Sequence, residues 1–399
     1  MTGTAADTSM STGGAGSGPG RYAATGLGTG AATGSGLGRD AGTGPGRDAG
    51  TGPGTGTGPG RAAARGTGAG RGAGVAVRGS VEDVLDHVWE HRSVLSGRDA
   101  YASALLALGR ADPLLACLSA GTDLEAEFAA ELPRQYVDLG LAEQNLIGVA
   151  AGMTVAARPV FASGLSPFAV GRAFEQIRTG VAGADLPVKI VGAYAGFSAG
   201  SEGPAHHALE DLGALRMLPH MTVVAPADAW EAAQATVALA RTPGPAYLRL
   251  GGPATPSPYA ERTPFVLGRA RVLRAPGRVL FVATGPHPNL VAAEAAHELA
   301  ARGVSAGHVN VHTVKPLDRD TLLAASARAE VVVTIEDHRA VGGLGSAVCE
   351  VLAEAGGPRV RRIGVPDVHV DLVGSERYLL GRAGITVRNA VAQALDVVG

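Results

Sequence analysis

Residues 222–250 read TVVAPADAWEAAQATVALARTPGPAYLRL, and this stretch decides the fold. Two short apolar runs, residues 222–224 and 247–250, flank a segment with helical spacing at residues 227–241. A helix between two short apolar runs is typical of parallel strands joined by a crossover helix. The stretch therefore predicts a β-α-β unit.

The same alternation extends toward the N-terminus. Ser80 and Asp83 have the spacing of a helix capping box and precede apolar residues at helical spacing. A second helix is predicted over residues 99–108, and apolar runs at residues 114–118 and 188–191 predict buried strands.

A second series of strands and helices follows a proline-rich break at residues 253–264, which predicts a linker. Beyond it the pattern predicts strands at residues 279–283, 308–312 and 331–335, and helices near residues 289–302, 344–355 and the C-terminus. The predicted fold is α/β, with two consecutive three-layer domains and mostly parallel sheets at residues 80–252 and 265–399.

The first 79 residues have a different composition. By count, 26 of the 60 glycines precede Val75, and the unit GRDAGTGP occurs twice in tandem from Gly38 to Pro53. Such a segment buries too little apolar surface to offset its chain entropy, so residues 1–79 are predicted to form a disordered Gly/Ala/Thr-rich tail. Two interpretations stay open: a tether or docking tail, and a dispensable extension or misplaced start codon.

Composition excludes several classes of protein. The formal net charge of −2 over 399 residues argues against a nucleic-acid binder. Two cysteines exclude a disulfide scaffold, and no Cys/His cluster has metal-ligand spacing, so no metal ligand is predicted within this chain. No apolar run is long enough to span a membrane and no secretory signal opens the sequence, so we expect a cytoplasmic protein.

The segment DLGLAEQNLIGVAAG, residues 138–152, places one carboxylate, Glu143, at the start of a helix of small residues. A buried carboxylate can share or donate a proton near neutral pH. The alternative is an acid that only favours the helix N-terminus through the helix dipole.

The segment GSEGPAHHALED, residues 200–211, has two adjacent histidines after a Gly-Pro turn. Histidines in such a loop suit proton transfer. A metal site and an ordinary surface loop are the alternatives. A third cluster, HTVKPLD at residues 312–318 with EDHRAVGGLG at residues 336–345, has glycines before a helix, which predict close packing rather than an anion site.

Taken in order, these segments resemble the C-terminal half of transketolase. The resemblance extends from Arg98 to Val398 and includes LAEQN, GPAH, LED, PAD after Val224, KPLD and EDH with GGLG. It implies a pyrimidine-binding domain of a thiamine-diphosphate enzyme, followed by the transketolase C-terminal domain.

The resemblance implies roles for two residues. Glu143 matches the family glutamate that hydrogen-bonds the pyrimidine ring of thiamine diphosphate. His206 matches the family histidine that handles substrate-oxygen protons during carbon–carbon cleavage. The cofactor acts as the electron sink, while the protein supplies orientation and electrostatics. The implied reaction is transfer of a two-carbon ketol unit from a ketose donor to an aldehyde acceptor.

Full-length transketolases also carry a Gly-Asp-Gly motif that helps to hold magnesium and the diphosphate, and this sequence contains no Gly-Asp-Gly. The resemblance therefore implies a split enzyme. This chain would be its C-terminal subunit, active only with an N-terminal, diphosphate-binding subunit that binds most of the magnesium. The expected assembly is an α2β2 heterotetramer.

The sequence departs from the family at the cofactor. The aromatic residue that stacks on the aminopyrimidine aligns with Leu165. Leucine loses stacking worth about 0.5–1.5 kcal/mol, and Phe168 or Phe161 would have to compensate.

Other departures fall where sugar-phosphate transketolases bind substrate. Arg98 is retained, but a serine is replaced by Glu125, an arginine by Gly252 and a histidine by Tyr194, and an aspartate that contacts a substrate hydroxyl becomes Glu202. Losing an arginine removes a phosphate clamp, and a nearby glutamate repels the dianion. These changes predict a neutral or amine-bearing acceptor, as in secondary metabolism.

Three alternatives stay open. They are the β-subunit of a 2-oxo acid dehydrogenase decarboxylating component, an enzyme similar to deoxyxylulose-phosphate synthase, and a regulatory subunit with a vestigial site. The EDH and LAEQN segments fit transketolase better than the first, and the changed phosphate ligands weaken the second. Retention of Glu143 and His206 argues against the third.

Overall fold

The structure is a computed structural model that describes residues 79–156 and 158–399. Within these residues the chain forms one seven-stranded and one five-stranded sheet, both mostly parallel and packed against helices. The predicted α/β fold class is confirmed. The predicted tail falls almost wholly on residues 1–78, which lie outside the described residues.

The seven-stranded sheet has the order β10-β5-β6-β4-β3-β1-β2. All neighbouring strands are parallel except β10, which pairs antiparallel with β5. Its strands are β1 (Ala116–Ala120), β2 (Tyr136–Asp138), β3 (Val160–Leu165), β4 (Val188–Ala193), β5 (Thr222–Val224), β6 (Ala246–Arg249) and β10 (Thr313–Lys315).

The helices of this half cover both faces of the sheet and give the three layers. They are α1 (Val81–His91), α2 (Gly97–Ala111), α3 (Ala126–Glu131), α4 (Glu143–Val155), α5 (Ser166–Gly171), α6 (Phe174–Gln176), α7 (Asp211–Arg216) and α8 (Ala229–Arg241). A π-helical turn, Ile177–Ala182, follows α6. The core on one face packs α1, α2 and α8, and the core on the other packs α4, α7 and the π-helical turn.

Capping explains where the first two helices begin. Ser80 and Asp83 form the predicted capping box of α1, and Ser96 and Asp99 form a second one at α2. Each box satisfies backbone N–H groups that the first helical turn leaves without partners. The helix predicted over residues 99–108 therefore begins two residues earlier, at Gly97.

The five-stranded sheet has the order β12-β11-β8-β9-β7, and β7 is its one antiparallel strand. Its strands are β7 (Arg271–Arg274), β8 (Val279–Ala283), β9 (Ala306–Asn310), β11 (Val331–Arg339) and β12 (Arg359–Val365). The helices of this half are α9 (Pro286–Ala301), α10 (Arg319–Ser326), α11 (Leu344–Glu354), α12 (Glu376–Arg382) and α13 (Val387–Val398).

One strand crosses the predicted domain boundary. β10 comes from the C-terminal half of the chain but extends the first sheet, where Thr313 pairs with Val224. The Nζ atom of Lys315 also donates to the carbonyl oxygen of Arg216, 3.1 Å away. The domain boundaries at residues 252 and 265 stay a prediction. The seven-stranded sheet contains strands from both sides of these boundaries.

None of the helices that the structure describes is both long enough and apolar enough to cross a membrane.

Candidate active site

The candidate residues lie in segments that follow the carboxyl ends of parallel strands in the first sheet. Glu125 lies beyond β1, Glu143 beyond β2, Leu165 at the end of β3 and Tyr194 just after β4. Carboxyl ends of parallel strands meet at one edge of a sheet, which is where open α/β sheets bind ligands. The topology therefore gathers residues that are far apart in sequence.

Glu143 is the first residue of α4 and only 2% exposed. The sequence suggested apolar surroundings for Glu143. They are not wholly apolar, because the guanidinium of Arg172 donates to the Oε2 atom of Glu143 at 2.7 Å. The Arg172 side chain is 49% exposed, so the ion pair joins a buried carboxylate to the surface of the site. Arg172 thus holds the Glu143 carboxylate in place through its Oε2 atom.

Phe168 contacts His206 and also Arg172, the residue that pairs with Glu143. The Arg172 guanidinium lies over the Phe168 ring, 4.8 Å from its centre. The His206 ring meets the same ring edge-on, with centres 5.1 Å apart. Successive contacts therefore connect Glu143, Arg172, Phe168 and His206 into one row. The sequence predicted three of these residues, Glu143, Phe168 and His206.

The two adjacent histidines have different surroundings. His206 ends a short 3₁₀ turn, Pro204–His206, and its buried Nδ1 atom has no hydrogen-bond partner in the part of the chain that the structure describes. His207 is buried against Phe197, with ring centres 5.1 Å apart, and burial lowers its pKa. His207 therefore packs against Phe197, although neither of its ring nitrogens has a hydrogen-bond partner among the described residues, and His206 stays the predicted residue for proton transfer.

Leu165 and Phe161 both lie on β3 but differ in burial and in the residues around them. Leu165 is half-buried and directly precedes α5, which carries Phe168. Phe161 is fully buried in the core with its ring centre 6.3 Å from that of Tyr101. Phe161 therefore cannot replace the missing aromatic residue, whereas Phe168 lies in the row with Glu143.

Arg98 and Tyr194 form the second group of candidates. The Arg98 guanidinium stacks 3.8 Å above the centre of the Tyr194 ring. Tyr194 has a positive φ of 56°, a strained conformation for a bulky residue and one that often marks functional sites. Glu202 is exposed and precedes the Gly203-Pro204 turn that leads to His206.

Glu125 does not lie on the open side of the site. It is 2% exposed, accepts a hydrogen bond from the Thr122 hydroxyl at 3.2 Å, and has one oxygen, Oε1, without a partner. Burial raises the pKa of this carboxyl to about 7, although the hydroxyls of Tyr101 and Ser163 partly oppose the rise. The predicted contact of Glu125 with substrate has no support in this geometry and stays a prediction.

Two arginines were missed by sequence reasoning. Arg172 was overlooked although it lies four residues after Phe168, which is one helical turn. Arg249, within the apolar run AYLRL, is buried and binds Asp211 at 2.8 Å and Asp337 at 2.6 Å. Arg249 also donates to the carbonyl oxygen of Ala208, which ties the His206 loop to both halves of the chain.

The glycines of the GGLG segment serve two purposes. The backbone N–H groups of Leu344 and Gly345 donate to the carboxylate of Glu336 at 2.7 and 2.8 Å. A Cβ atom on Gly343 would overlap Glu336. The start of α11 therefore does hold an anion, but the anion is the protein's own buried carboxylate, and the predicted close packing is also present.

The described residues contain no group of three or more His, Cys, Asp or Glu side chains that could hold a metal ion.

Two families match the chain. Residues 93–256 match the family described as "Transketolase, pyrimidine binding domain", and residues 268–389 match "Transketolase, C-terminal domain".

The curated relatives include chains of similar length to the matched region. The 6-deoxy-6-sulfo-D-fructose transketolase subunit of Clostridium sp. (strain MSTE9) is 37% identical, over 75% of this chain and 94% of its own. One subunit of the apulose-4-phosphate transketolase of Phocaeicola vulgatus is 32% identical, over 77% of this chain and 98% of its own. The mouse transketolase-like protein 2 is 34% identical over 78% of this chain, but only 50% of its own length is covered.

Two solved structures are similar. A split gene transketolase described as an inactive β4 tetramer has a TM-score of 0.69 and 37% identity, and the match covers 76% of this chain and 99% of that one. Transketolase from Leishmania mexicana, at a TM-score of 0.64 and 21% identity over 76% of this chain and 46% of its own, shares the fold.

Proposed function

The chain belongs to the transketolase family, and from that premise we propose that it is the C-terminal, or β, subunit of a split transketolase. Its reaction is transfer of a two-carbon ketol unit from a ketose donor to an aldehyde acceptor. The observation that carries the proposal is the row formed by Glu143, Arg172, Phe168 and His206. Relatives named as transketolase subunits, and covered almost end to end, support the split arrangement.

The residues present fit thiamine diphosphate, the cofactor that the family implies. A buried carboxylate beside a half-buried aromatic ring suits a flat, polar aminopyrimidine, and Glu143 and Phe168 supply them. Leu165 adds apolar surface next to Phe168. When bound, the thiazolium ring of this cofactor supplies the electron sink for carbon–carbon cleavage.

The chain's own residues then have separate tasks. Glu143 would hydrogen-bond the pyrimidine nitrogen and share a proton with it. Arg172 fixes the Glu143 carboxylate through one of its oxygens. His206 exchanges a proton with substrate oxygen, with its ring held edge-on against Phe168. Arg98, which stacks on Tyr194, and Glu202, which precedes the turn to His206, are the residues assigned to substrate binding.

The diphosphate and magnesium are assigned to a partner subunit, because the sequence has no Gly-Asp-Gly motif. The proposed assembly is an α2β2 heterotetramer. A relative whose β4 tetramer is described as inactive supports this dependence on a partner. A cytoplasmic location and a role in secondary metabolism stay predictions.

The alternative functions have weaker support. A 1-deoxy-D-xylulose-5-phosphate synthase of Synechococcus is 38% identical over 72% of this chain, but only 46% of its own length is covered. The two relatives whose own length is covered almost end to end are named as transketolase subunits. This supports ketol transfer over oxidative decarboxylation. A vestigial site is disfavoured because Glu143 and His206 lie in one row with Phe168.

Replacing Glu143 tests the proposal. In the complex with the diphosphate-binding subunit, Glu143→Gln should lower kcat for ketol transfer at least about 100-fold, because the amide cannot exchange the proton. Thermal unfolding and complex formation should be unchanged. The matched control, Glu127→Gln on the exposed face of α3, should keep full activity.

Two results would contradict the proposal. Unchanged turnover in the Glu143→Gln complex would show that this carboxylate plays no part in the chemistry. Ketol transfer by the chain alone, with added thiamine diphosphate and magnesium, would refute the split arrangement.

A further inference from the structure

A narrow cleft lies where β6 ends and the chain passes toward its C-terminal half. Gly97, Gly252, Thr255 and Pro286 are among the residues that line it. Gly252, in the wall of this cleft, aligns with the family arginine that binds the substrate phosphate. On that resemblance, the cleft adjoins the part of the site assigned to the acceptor.

A carboxylate from the C-terminal half lies behind Gly252. Glu376, the first residue of α12, has a side chain that is only 9% exposed. Its Oε1 atom accepts from the Ser198 hydroxyl at 3.2 Å and lies 3.6 Å from Nδ1 of His287. Its Oε2 atom is buried and has no hydrogen-bond partner among residues 79–156 and 158–399. Such an atom costs free energy until a donor reaches it.

Gly252 is what leaves room for this carboxylate. A Cβ atom built on Gly252 would lie 2.7 Å from Oε2 of Glu376 and 3.1 Å from the Ser198 side chain. Any other residue at position 252 would therefore push Glu376 aside or cover it. The glycine and the glutamate form a matched pair, with Oε2 directed at the wall of the cleft.

The charges around this end of the cleft do not favour a phosphate. Arg249 is already bound by two carboxylates, Asp211 and Asp337. Burial raises the pKa of Glu376, His287 opposes the rise and Asp337 adds to it, so a hydrogen-bond donor at the free Oε2 atom would relieve an unfavourable environment. Arg98 attracts an anion, but Glu376 opposes it.

We propose that Glu376 is a specificity-determining residue that reads the end of the acceptor remote from the aldehyde. It favours an acceptor whose remote end is a hydrogen-bond donor, a hydroxyl or an ammonium group, and disfavours a phosphate. The inference rests on the proposed function and names the substrate class for the same site.

The test compares acceptors in the assembled complex, with hydroxypyruvate as the donor. Glycolaldehyde has no remote end and serves as the reference. D-Ribose, 5-amino-5-deoxy-D-ribose and ribose 5-phosphate then present a hydroxyl, an ammonium group and a phosphate. In the unaltered complex, kcat/KM relative to glycolaldehyde should be lowest for the phosphate, and the order of the other two identifies which donor is preferred.

Replacing the acceptor oxygen should reverse the discrimination. Glu376→Gln should raise relative kcat/KM for ribose 5-phosphate about tenfold and lower it about tenfold for the amine, because an amide can donate a hydrogen bond where the carboxyl group offers an unpaired acceptor oxygen. Ribose should change less than about threefold. The control, Glu294→Gln on the exposed face of α9, should change none of the ratios.

A second pair of variants tests the match between the two positions. In Gly252→Arg the new guanidinium meets Glu376 and pairs with it, so phosphate should gain little. In Gly252→Arg with Glu376→Ser the guanidinium is released, and ribose 5-phosphate should gain at least about tenfold. Thermal unfolding of each complex checks the fold.

Two outcomes overturn the inference: unchanged acceptor ratios in Glu376→Gln, or equal phosphate gains in Gly252→Arg with and without Glu376. Absence of ketol transfer to glycolaldehyde in the unaltered complex would instead refute the proposed function.

Discussion

Replacing Glu125 by glutamine should make the chain more stable, and the gain should grow with pH. The carboxyl is buried beside the Tyr101 and Ser163 hydroxyls, whose oxygens are 3.0 Å apart. Glutamine has nearly the same shape and carries no charge, and its amide group can donate to either hydroxyl. The substitution therefore removes the cost of burying a charge with little change in packing.

The sign and size follow from the two pKa values. The pKa is raised from 4.5 in the unfolded chain to about 7 in the folded one, so the folded state binds the proton more tightly. The wild type accordingly loses stability as the pH rises from 4.5 to 7. Integrating this difference predicts that Glu125→Gln gains about 2.5 kcal/mol more at pH 8 than at pH 5.

Urea unfolding of both proteins at pH 5 and pH 8, at equal chain concentration, measures this difference. Other groups titrate in the same range, including Asp228, whose pKa burial raises to about 7, but they cancel between the two proteins. The control Glu127→Gln, at an exposed site, should show no dependence on pH. An equal effect of Glu125→Gln at both pH values would refute the reasoning.

Two further substitutions test packing around the site. Gly343→Ala should destabilise the chain by about 2–4 kcal/mol, because the added Cβ atom would overlap the buried Glu336. The control Gly381→Ala, at a helical position with open space around it, should stabilise the chain by up to about 1 kcal/mol. Urea unfolding measures both free energies, and equal effects would contradict the overlap. Phe168→Leu should weaken the apparent affinity of the complex for thiamine diphosphate about three- to tenfold, while the control Phe174→Leu should change it less than about twofold. Titration of activity with the cofactor measures this, and equal losses would show that Phe168 has no special place.

Most of the strands that sequence analysis found have several large apolar residues in a row. β5 and β8 were predicted at their observed bounds for this reason. β9, predicted at residues 308–312, is an exception and lies at Ala306–Asn310. β3 was missed because Ala162, Ser163 and Gly164 carry little apolar signal, although the strand is central and buried. β12 was missed because it is rich in arginine and lies at an edge of its sheet.

The site could be predicted only in part. Glu143 and His206 stand in motifs of the family that the sequence resembles, and Phe168 lies three residues after Leu165, which aligns with the family's aromatic residue. The contacts of Arg249 with Asp337 join residues 88 positions apart, and no local pattern indicates such a partner. The burial of Glu125 likewise depends on α2 and β3 closing over it.

The antiparallel strand β10 has a consequence for any attempt to dissect this protein. A fragment that stops at the proline-rich segment would leave β5 with a bare edge of N–H and C=O groups, which invites pairing with another molecule. The complementary fragment would carry a three-residue strand with nothing to bind. Protease cleavage within the segment, by contrast, should yield a nicked protein whose pieces stay together until it is denatured.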